Sequence, residues 1–498
     1  GTPATVRAQI HRGAAASVMG RFTSNPGLEH VRLPANENLD SALAYYASRA
    51  DVQFVQKNFI YHTLETSPND TLFANQWALK NTLSTGNPLA SVNATFAWDK
   101  TTGRFNVIVA VVDTGVDYTH GDLGLNIWTN PAEAGLNCTN GIDDDPQNNV
   151  DGFVFVDDCR GWNFFDFNNN PMDVTGHGTE MAGIIGALGN DTLGIAGANW
   201  NIQIMPLRVS DTNGNISSAT AAQAIDYAVK HGASVINASW GGNNAGDATL
   251  LAAINNAGTA GVLFVTAAGN QSSNNDSLAF YPCNYSTVAS NVICAAATDE
   301  NDNLAFSSNF GANSVQLGAP GNNIQSTGLN QGYPTDSGTS QAAAYVSGGA
   351  ALLKGCKAAL TSSSIKSILL LNTRPILALT GNTTTGGVVN FEMAVDDASV
   401  GACDAVAVTS SPVANPGGPY NSNIKKAIQF DGSGSTDSNG QLLIYFWSFG
   451  DGTFGVGVKP THTYTSRGAF TATLFVRDNQ GAIASQCTTV TVRPNNGH

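Results

Sequence analysis

The stretch Val107-Ile108-Val109-Ala110-Val111-Val112-Asp113 is a continuous run of small and β-branched apolar residues that ends in a carboxylate. Such a run is typical of a strand that is buried on both faces of a parallel sheet. Similar runs follow at residues 202–209, 235–238, 262–267 and 291–296, with helical spacing between them at residues 177–188, 218–231 and 248–258. This alternation predicts an α/β domain with a doubly wound, mostly parallel sheet and functional residues at the carboxyl ends of its strands.

Changes in composition and in the spacing of apolar residues divide the 498 residues into further domains. Residues 1–66 indicate a small α+β domain, and a polar linker at residues 63–70 follows it; its predicted elements are strands at residues 30–33 and 52–61 and a helix at residues 39–48. The α/β domain is predicted at residues 67–395, and residues 396–411 are a second linker. Residues 412–498 predict an all-β sandwich with strands at residues 427–430, 443–449, 470–476 and 488–492.

Composition restricts the possible partners and the compartment. The formal net charge of -15 argues against nucleic acid and anionic membranes as partners, and no apolar run is long enough to span a bilayer. Seven cysteines favour an exported, oxidising setting, so we expect a secreted protein. Cys138 with Cys159 and Cys283 with Cys294 are plausible local bridges. The remaining three, at positions 356, 403 and 487, cannot all pair within the chain.

A second stretch, Ser337-Gly338-Thr339-Ser340-Gln341-Ala342-Ala343, follows a turn and opens a small, apolar, helix-compatible segment that runs to about Lys354. A serine in the first turn of a helix lies beside unpaired backbone N–H groups and the positive end of the helix dipole. Ser340 is therefore well placed to be a nucleophile whose attack creates an oxyanion. The alternative interpretation is a hydroxyl that only caps the helix.

Three more polar groups lie at the ends of predicted elements. Asp113 ends the first strand, His177 opens a helix within Gly176-His177-Gly178-Thr179, and Asn270 follows a buried strand within Ala267-Ala268-Gly269-Asn270. Taken singly, they fit a turn former, an ordinary histidine and a cap. Their occurrence together, in the order Asp, His, Asn, Ser, favours nucleophilic catalysis.

These motifs resemble the subtilisin family of serine proteases, the subtilases, over roughly residues 69–395. The resemblance implies hydrolysis of peptide bonds in proteins or peptides through an acyl-enzyme. Ser340 would be the nucleophile, and His177 would be the general base and then the general acid. Asp113 would fix the tautomer of the imidazole. Asn270 and the backbone N–H of Ser340 would form the oxyanion hole.

Further motifs extend the resemblance and limit it. The segment Ser239-Trp240-Gly241-Gly242 resembles the substrate-binding strand of the family, and Ala268 and Gly269 complete the expected substrate-binding set. At the third position after the histidine, where the family usually has His, the chain has Glu180. After the serine the family usually has Met, and the chain has Gln341. These departures affect substrate preference rather than reaction class.

The flanking domains also resemble known domains. Residues 1–66 resemble the inhibitory propeptide of the family, which implies a zymogen that cuts itself and is inhibited by its own propeptide. Residues Trp447-Ser448-Phe449-Gly450-Asp451-Gly452 resemble a PKD domain, whose ligand would be a polymer if it binds one. Two alternatives to a protease remain, which are an inactive relative that binds peptides and an extracellular adhesion protein built around the sandwich.

The resemblance also implies structural calcium. Asp122, with Asn190 and Asp191, resembles the strong calcium site of the family. A second candidate site is an acidic loop with dense hard oxygen ligands, which include Asp143, Asp145 and Asp151. A solvated acidic loop without an ion is an equally good interpretation of this second stretch.

Overall fold

A computed structural model describes residues 3–23, 25, 27–34, 38–57, 65–82, 86–145, 154–244, 246–397, 400–405, 410–438 and 440–494. The chain forms two compact units, Gly1–Leu64 and Glu65–His498.

The first unit is a small α+β structure. Its elements are α1 (Ala4–Gly13), β1 (Ser17–Arg21), β2 (Glu29–Arg32) and α2 (Leu39–Ala47), with β1 antiparallel to β2. Glu29 links them, because it accepts hydrogen bonds from His11 at 2.8 Å and from Arg21 at 2.7 Å. The predicted strand near residue 30 and the helix near residue 39 are confirmed.

Another prediction in this unit is wrong. Residues 52–57 form no strand, because no described strand lies beside them to satisfy their backbone groups. Residues 58–61, the rest of that predicted strand, lie outside the described residues. Helix α1 and strand β1 were not predicted.

The second unit contains the predicted α/β domain. Among the described residues its sheet has nine strands in the order β12-β13-β9-β8-β7-β6-β3-β5-β4, all parallel except β12. The strands are β3 (Ile108–Asp113), β4 (Trp162–Asn163), β5 (Gln203–Arg208), β6 (Val235–Ala238), β7 (Leu263–Ala267), β8 (Val292–Thr298), β9 (Leu317–Pro320), β12 (Thr373–Pro375) and β13 (Gly387–Val389). A separate short hairpin pairs β10 (Ile324–Gln325) with β11 (Thr335–Asp336).

Helices cover both faces of this sheet, as a doubly wound fold requires. They are α3 (Ala94–Ala97), α4 (His177–Gly186), α5 (Ser218–Lys230), α6 (Ala248–Thr259), α7 (Thr339–Cys356), α8 (Ser362–Leu371) and α9 (Phe391–Val395). Along β3, Val109 and Val111 join the core beneath α4 and α7, whereas Ala110 and Val112 join the core beneath α5 and α6. Both faces of the strand are buried, which explains its uninterrupted apolar sequence.

The C-terminal part of the second unit is all β. A five-stranded sheet in the order β14-β20-β19-β16-β17 packs with a two-stranded sheet of β15 and β18. These strands are β14 (Tyr420–Asn423), β15 (Ala427–Gln429), β16 (Leu442–Ser448), β17 (Phe454–Val456), β18 (Thr461–Thr463), β19 (Gly468–Asp478) and β20 (Ile483–Arg493). Phe430, Trp447 and Phe449 fill the core between them. The predicted sandwich is confirmed.

The cysteine pairing that the sequence left open is resolved in the fold. All seven cysteines lie in the described part of the chain, and three disulfides join Cys138 to Cys159, Cys283 to Cys294 and Cys356 to Cys403. Cys487 is free and exposed. No helix within the described ranges combines the length and apolar character that crossing a bilayer requires.

Candidate active site

Asp113 and His177 meet at the carboxyl edge of the sheet. Asp113 is the last residue of β3 and is 1% exposed, and His177 is the first residue of α4. The Nδ1 atom of His177 lies 2.7 Å from Oδ1 of Asp113. A Cβ atom at position 178 would lie only 2.1 Å from the carbonyl oxygen of Gly115. The helix can approach this closely because Gly178 has no Cβ atom. The pair leaves Nε2 of the imidazole as the nitrogen available to a substrate or nucleophile.

Asp173 fixes this arrangement, and the sequence analysis missed it. Its Oδ1 accepts a hydrogen bond from the hydroxyl of Thr114 at 2.8 Å, and its Oδ2 accepts from the backbone and hydroxyl of Thr179 at 2.9 and 2.6 Å. The buried carboxylate therefore ties the residue after Asp113 to the first turn of the helix that carries His177. A carboxylate four residues before the histidine was the available signal, but its partners are distant in sequence.

The electrostatic surroundings of His177 stabilise its protonated form. Burial of the ring lowers its pKa, but the charge and hydrogen bond of Asp113 and the charges of Glu180 and Asp173 outweigh this effect. The net result is a pKa of about 9. An imidazole with such a pKa is a strong base once it is deprotonated.

Ser340 and Asn270 are held together by Thr339. The side-chain oxygen of Asn270 accepts hydrogen bonds from the backbone N–H of Thr339 at 2.9 Å and from its hydroxyl at 3.0 Å. This arrangement leaves the amide nitrogen of Asn270 free to donate beside the N-terminus of α7, where Ser340 is the second residue. The amide of Asn270 and the backbone N–H of Ser340 are two N–H donors beside the hydroxyl of Ser340, and such a pair can stabilise an oxyanion.

The hydroxyl of Ser340 donates to the carbonyl oxygen of Ser239 at 3.0 Å rather than to His177. The contact is reciprocal, because the hydroxyl of Ser239 donates to the carbonyl oxygen of Ser340 at 3.0 Å. Rotation about one side-chain bond of Ser340 redirects its hydroxyl, and catalytic hydrogen bonds commonly form only when substrate is bound.

The expected substrate-binding residues divide into two groups. Trp240 is anchored by a hydrogen bond from its indole to the carbonyl oxygen of Val112 at 2.7 Å, and Gly241 is exposed beside it. Gly269 has a φ of 107°, which a side chain disfavours, and it precedes exposed Asn270. Ala268 is fully buried in the core below, near Phe280. A substrate therefore does not contact its side chain in this conformation.

Comparisons with known proteins identify the family of this chain. The family model described as the subtilase family matches residues 105–393, and the PKD domain model matches residues 409–493. The chain belongs to the subtilase family. It carries a PKD domain, and its family is one of serine endopeptidases.

Individual proteins are similar to this subtilase over most of their length. A thermophilic serine proteinase of Bacillus sp. is 36% identical over 64% of this chain and 66% of its own. An extracellular protease of Xanthomonas campestris is 32% identical over 77% of this chain and 68% of its own. A solved structure of a protease from Pseudoalteromonas arctica has 30% identity and a TM-score of 0.50, and covers 67% of this chain and 100% of that one. The chain thus spans about two thirds of the length of the first two relatives.

The residues that resemble the strong calcium site of the subtilases lie together, and they include one that the sequence analysis missed. Burial raises the pKa of Asp122 to about 7, and the like charges of Asp191 and Asp70 add to this effect. Asp70 is buried, and its Oδ1 has no hydrogen-bond donor, while its Oδ2 accepts from the backbone N–H of Asn190 at 2.7 Å. Carboxylate oxygens are donors that Ca²⁺ prefers, and the unsatisfied Oδ1 atoms of buried Asp70 and Asp122 fit this ion.

A second acidic cluster also fits a cation. Carboxylate oxygens of Glu133, Asp143 and Asp145 lie within 4.8 Å of one another. Glu133 is fully buried, and its Oε2 has no hydrogen-bond partner. Burial and neighbouring carboxylates raise its pKa to about 7. Glu133 was not predicted, and Asp151 lies outside the described residues.

Proposed function

We propose that this subtilase is a secreted endopeptidase, made as a self-processing zymogen, that uses Asp113, His177 and Ser340 as a catalytic triad. The observation that carries the proposal is the 2.7 Å contact between His177 and Asp113 at the strand edge where Ser340 and Asn270 also lie. The printed name of the Xanthomonas relative, an extracellular protease, supports secretion.

Each group has one role in the reaction. The hydroxyl of Ser340 attacks the scissile carbonyl while Nε2 of His177 takes its proton. The amide of Asn270 and the backbone N–H of Ser340 stabilise the resulting oxyanion. His177 then protonates the leaving amine, and water hydrolyses the acyl-enzyme by the same steps. Asp113 holds the ring in the tautomer that this sequence of proton transfers needs.

Self-processing is proposed just before Glu65. From this residue onward the chain is bound to the second unit, because Thr95 donates to Glu65 at 2.8 Å and Thr66 donates from its backbone to Asp99 at 2.8 Å. A cut before Glu65 preserves these bonds and releases the first unit, which then acts as an inhibitor of the mature enzyme.

The test is active-site labelling with a fluorophosphonate, together with the digestion of a denatured protein and mapping of the cuts by mass spectrometry. We expect labelling and digestion by the wild type, and neither by Ser340→Ala. Ser337→Ala is the matched control, since it removes a hydroxyl from the same loop. Absence of labelling in the wild type after removal of the first unit would instead support the inactive, peptide-binding alternative.

The same variants test processing. Purified Ser340→Ala should remain full length, whereas the wild type loses the first unit. Trimming of Ser340→Ala at the same position would show that another protease makes the cut.

The adhesion alternative receives no support from the sandwich. Among residues 410–438 and 440–494 its aromatic side chains are buried or only partly exposed. The proposed role of this domain is to brace the peptidase domain. Structural calcium is proposed at Asp70, Asp122 and Asp191, and a second ion at Glu133, Asp143 and Asp145.

A further inference from the structure

Two residues that depart from the usual subtilase motifs lie next to each other. Glu180 follows His177 by one turn of α4, and Gln341 directly follows Ser340 in α7. The amide nitrogen of Gln341 lies 3.5 Å from Oε2 of Glu180, at the outer limit of a hydrogen bond. The two substitutions thus form a pair that bridges the helices of the base and the nucleophile.

A second carboxylate lies just before the serine helix. Asp336 ends β11, four residues before Ser340, and is exposed. Its negative charge acts on Glu180: burial raises the pKa of Glu180 to about 7, and the charge of Asp336 adds to this effect. Within the described ranges no lysine or arginine forms an ion pair with either carboxylate.

The amide of Gln341 adds an unsatisfied acceptor. Gln341 is 2% exposed, and its Oε1 has no hydrogen-bond donor. This oxygen lies 3.1 Å from the position of a Cβ on Gly338, and the amide nitrogen of Asn270 lies 3.2 Å from the same point. The acceptor is therefore beside the N-terminus of the serine helix, near the amide nitrogen of Asn270.

The position of these groups relative to the triad identifies the part of the substrate they meet. Ser239, hydrogen-bonded to both oxygens of Ser340, lies directly beside the nucleophile. The leaving amine receives its proton from His177, so the residue that carries this amine passes on the histidine side. Glu180 lies in the first turn of α4, which His177 begins, and is therefore on that side.

We propose that Glu180 and Asp336 form an acidic subsite that selects Lys or Arg at the substrate residue on the leaving-group side of the scissile bond. Gln341 positions the carboxylate of Glu180. The inference rests on the proposed protease function. Its physical reason is that a half-buried carboxylate without a cation gains a charge-assisted hydrogen bond when a substrate cation arrives.

The test uses peptides that are identical on the acyl side and carry Arg, citrulline or Glu immediately after the scissile bond. Citrulline keeps the shape of arginine without its charge. At pH 9 we expect kcat/KM for Arg to exceed that for citrulline by on the order of tenfold, with Glu cleaved most slowly.

The variants Glu180→Gln and Asp336→Asn should each reduce the Arg-to-citrulline ratio, and the double variant should bring it close to one. A ratio measured within one enzyme is insensitive to general changes in activity, and fluorophosphonate labelling reports that each variant is folded. Asp396→Asn is the matched control, because it removes the same charge from an exposed ion pair with Lys100, and its ratio should equal that of the wild type.

The possible failures are distinct. Equal cleavage of the Arg and citrulline peptides by the wild type, or a ratio that survives in the double variant, would overturn the acidic subsite and leave the protease function standing. Failure of the wild type to cleave any peptide or to be labelled would overturn both.

Discussion

The guanidinium of Arg477, in the sandwich, lies 3.8 Å from the centre of the Phe105 ring, in the peptidase domain. The same group donates to the carbonyl oxygen of Leu125 and to the side chain of Asn126, both at 2.7 Å. Arg477 is 2% exposed, so the two domains share a buried polar contact. Phe446 packs beside it against Gly124. The sandwich is thus docked firmly on the peptidase domain, unlike a spacer on a free linker.

Arg477→Met should uncouple the two domains. Methionine fills part of the volume but removes the donor to the carbonyl oxygen of Leu125, and leaves Asn126 Oδ1 with only the long contact from the backbone N–H of Ile202 at 3.5 Å. A buried acceptor that loses its donor costs about 1–3 kcal/mol. We expect calorimetry to show separate melting of the sandwich and the peptidase domain at lower temperature. Arg493→Met, at an exposed position on the neighbouring strand, is the control. An unchanged single transition in Arg477→Met would contradict the docking role.

On the acid side of the pH profile, kcat/KM should begin to fall at an alkaline pH. His177 must be neutral to accept a proton, and its pKa is about 9, so kcat/KM should fall as the pH decreases below that value. Glu180→Gln removes a negative neighbour and should lower the midpoint by roughly half a unit. The measurement is the pH profile of kcat/KM with an uncharged peptide, with Asp396→Asn as control. A midpoint near 6.5 in the wild type would show that the surrounding carboxylates do not act on the base.

Removal of the proposed calcium should destabilise the protein. The buried carboxylates of Asp70 and Asp122 repel each other without a cation, and a bound ion at a hundred times its Kd contributes about 2.7 kcal/mol. We expect EDTA to lower the melting temperature, and Ca²⁺ but not Mg²⁺ to restore it. Asp122→Asn should weaken this response, and Asp143→Asn should report separately on the second cluster. A melting temperature that EDTA leaves unchanged would argue against both ions.

The native protein should react with one equivalent of a thiol reagent. Six cysteines are paired, and Cys487 is exposed on β20. Cys487→Ser should therefore show no reactive thiol before denaturation. Reaction of three thiols in the native wild type would mean that one of the three disulfides is not formed.

Local patterns predicted most of the elements correctly. The strand predicted at residues 235–238 matches β6, and the helix predicted at residues 218–231 ends one residue early in the structure. These predictions succeeded for one reason. Each element buries one or both of its faces, and the spacing of its apolar residues in the sequence shows this. The prediction at residues 52–57 fails for the corresponding reason: a strand needs a partner, and its own residues do not specify one.

Carboxylates were the hardest residues to assign. Asp113 was identified because it ends a conspicuous apolar strand, whereas Asp70 and Glu133 lie in loops without a local signal, and Asp173 had only its position four residues before His177. Their importance comes from partners that are far away in sequence, such as Thr114 for Asp173.

By itself, the sequence determined the α/β fold class, the C-terminal sandwich, the subtilase motifs and the identity of the expected catalytic residues. Only the tertiary structure decided that Cys356 pairs with Cys403, that Arg477 joins the two domains, and that Glu180 meets Gln341. The physical reason is the range of the interactions. Apolar periodicity acts between residues a few positions apart, while bridges, buried charges and paired polar groups depend on which distant segments the folded core brings together.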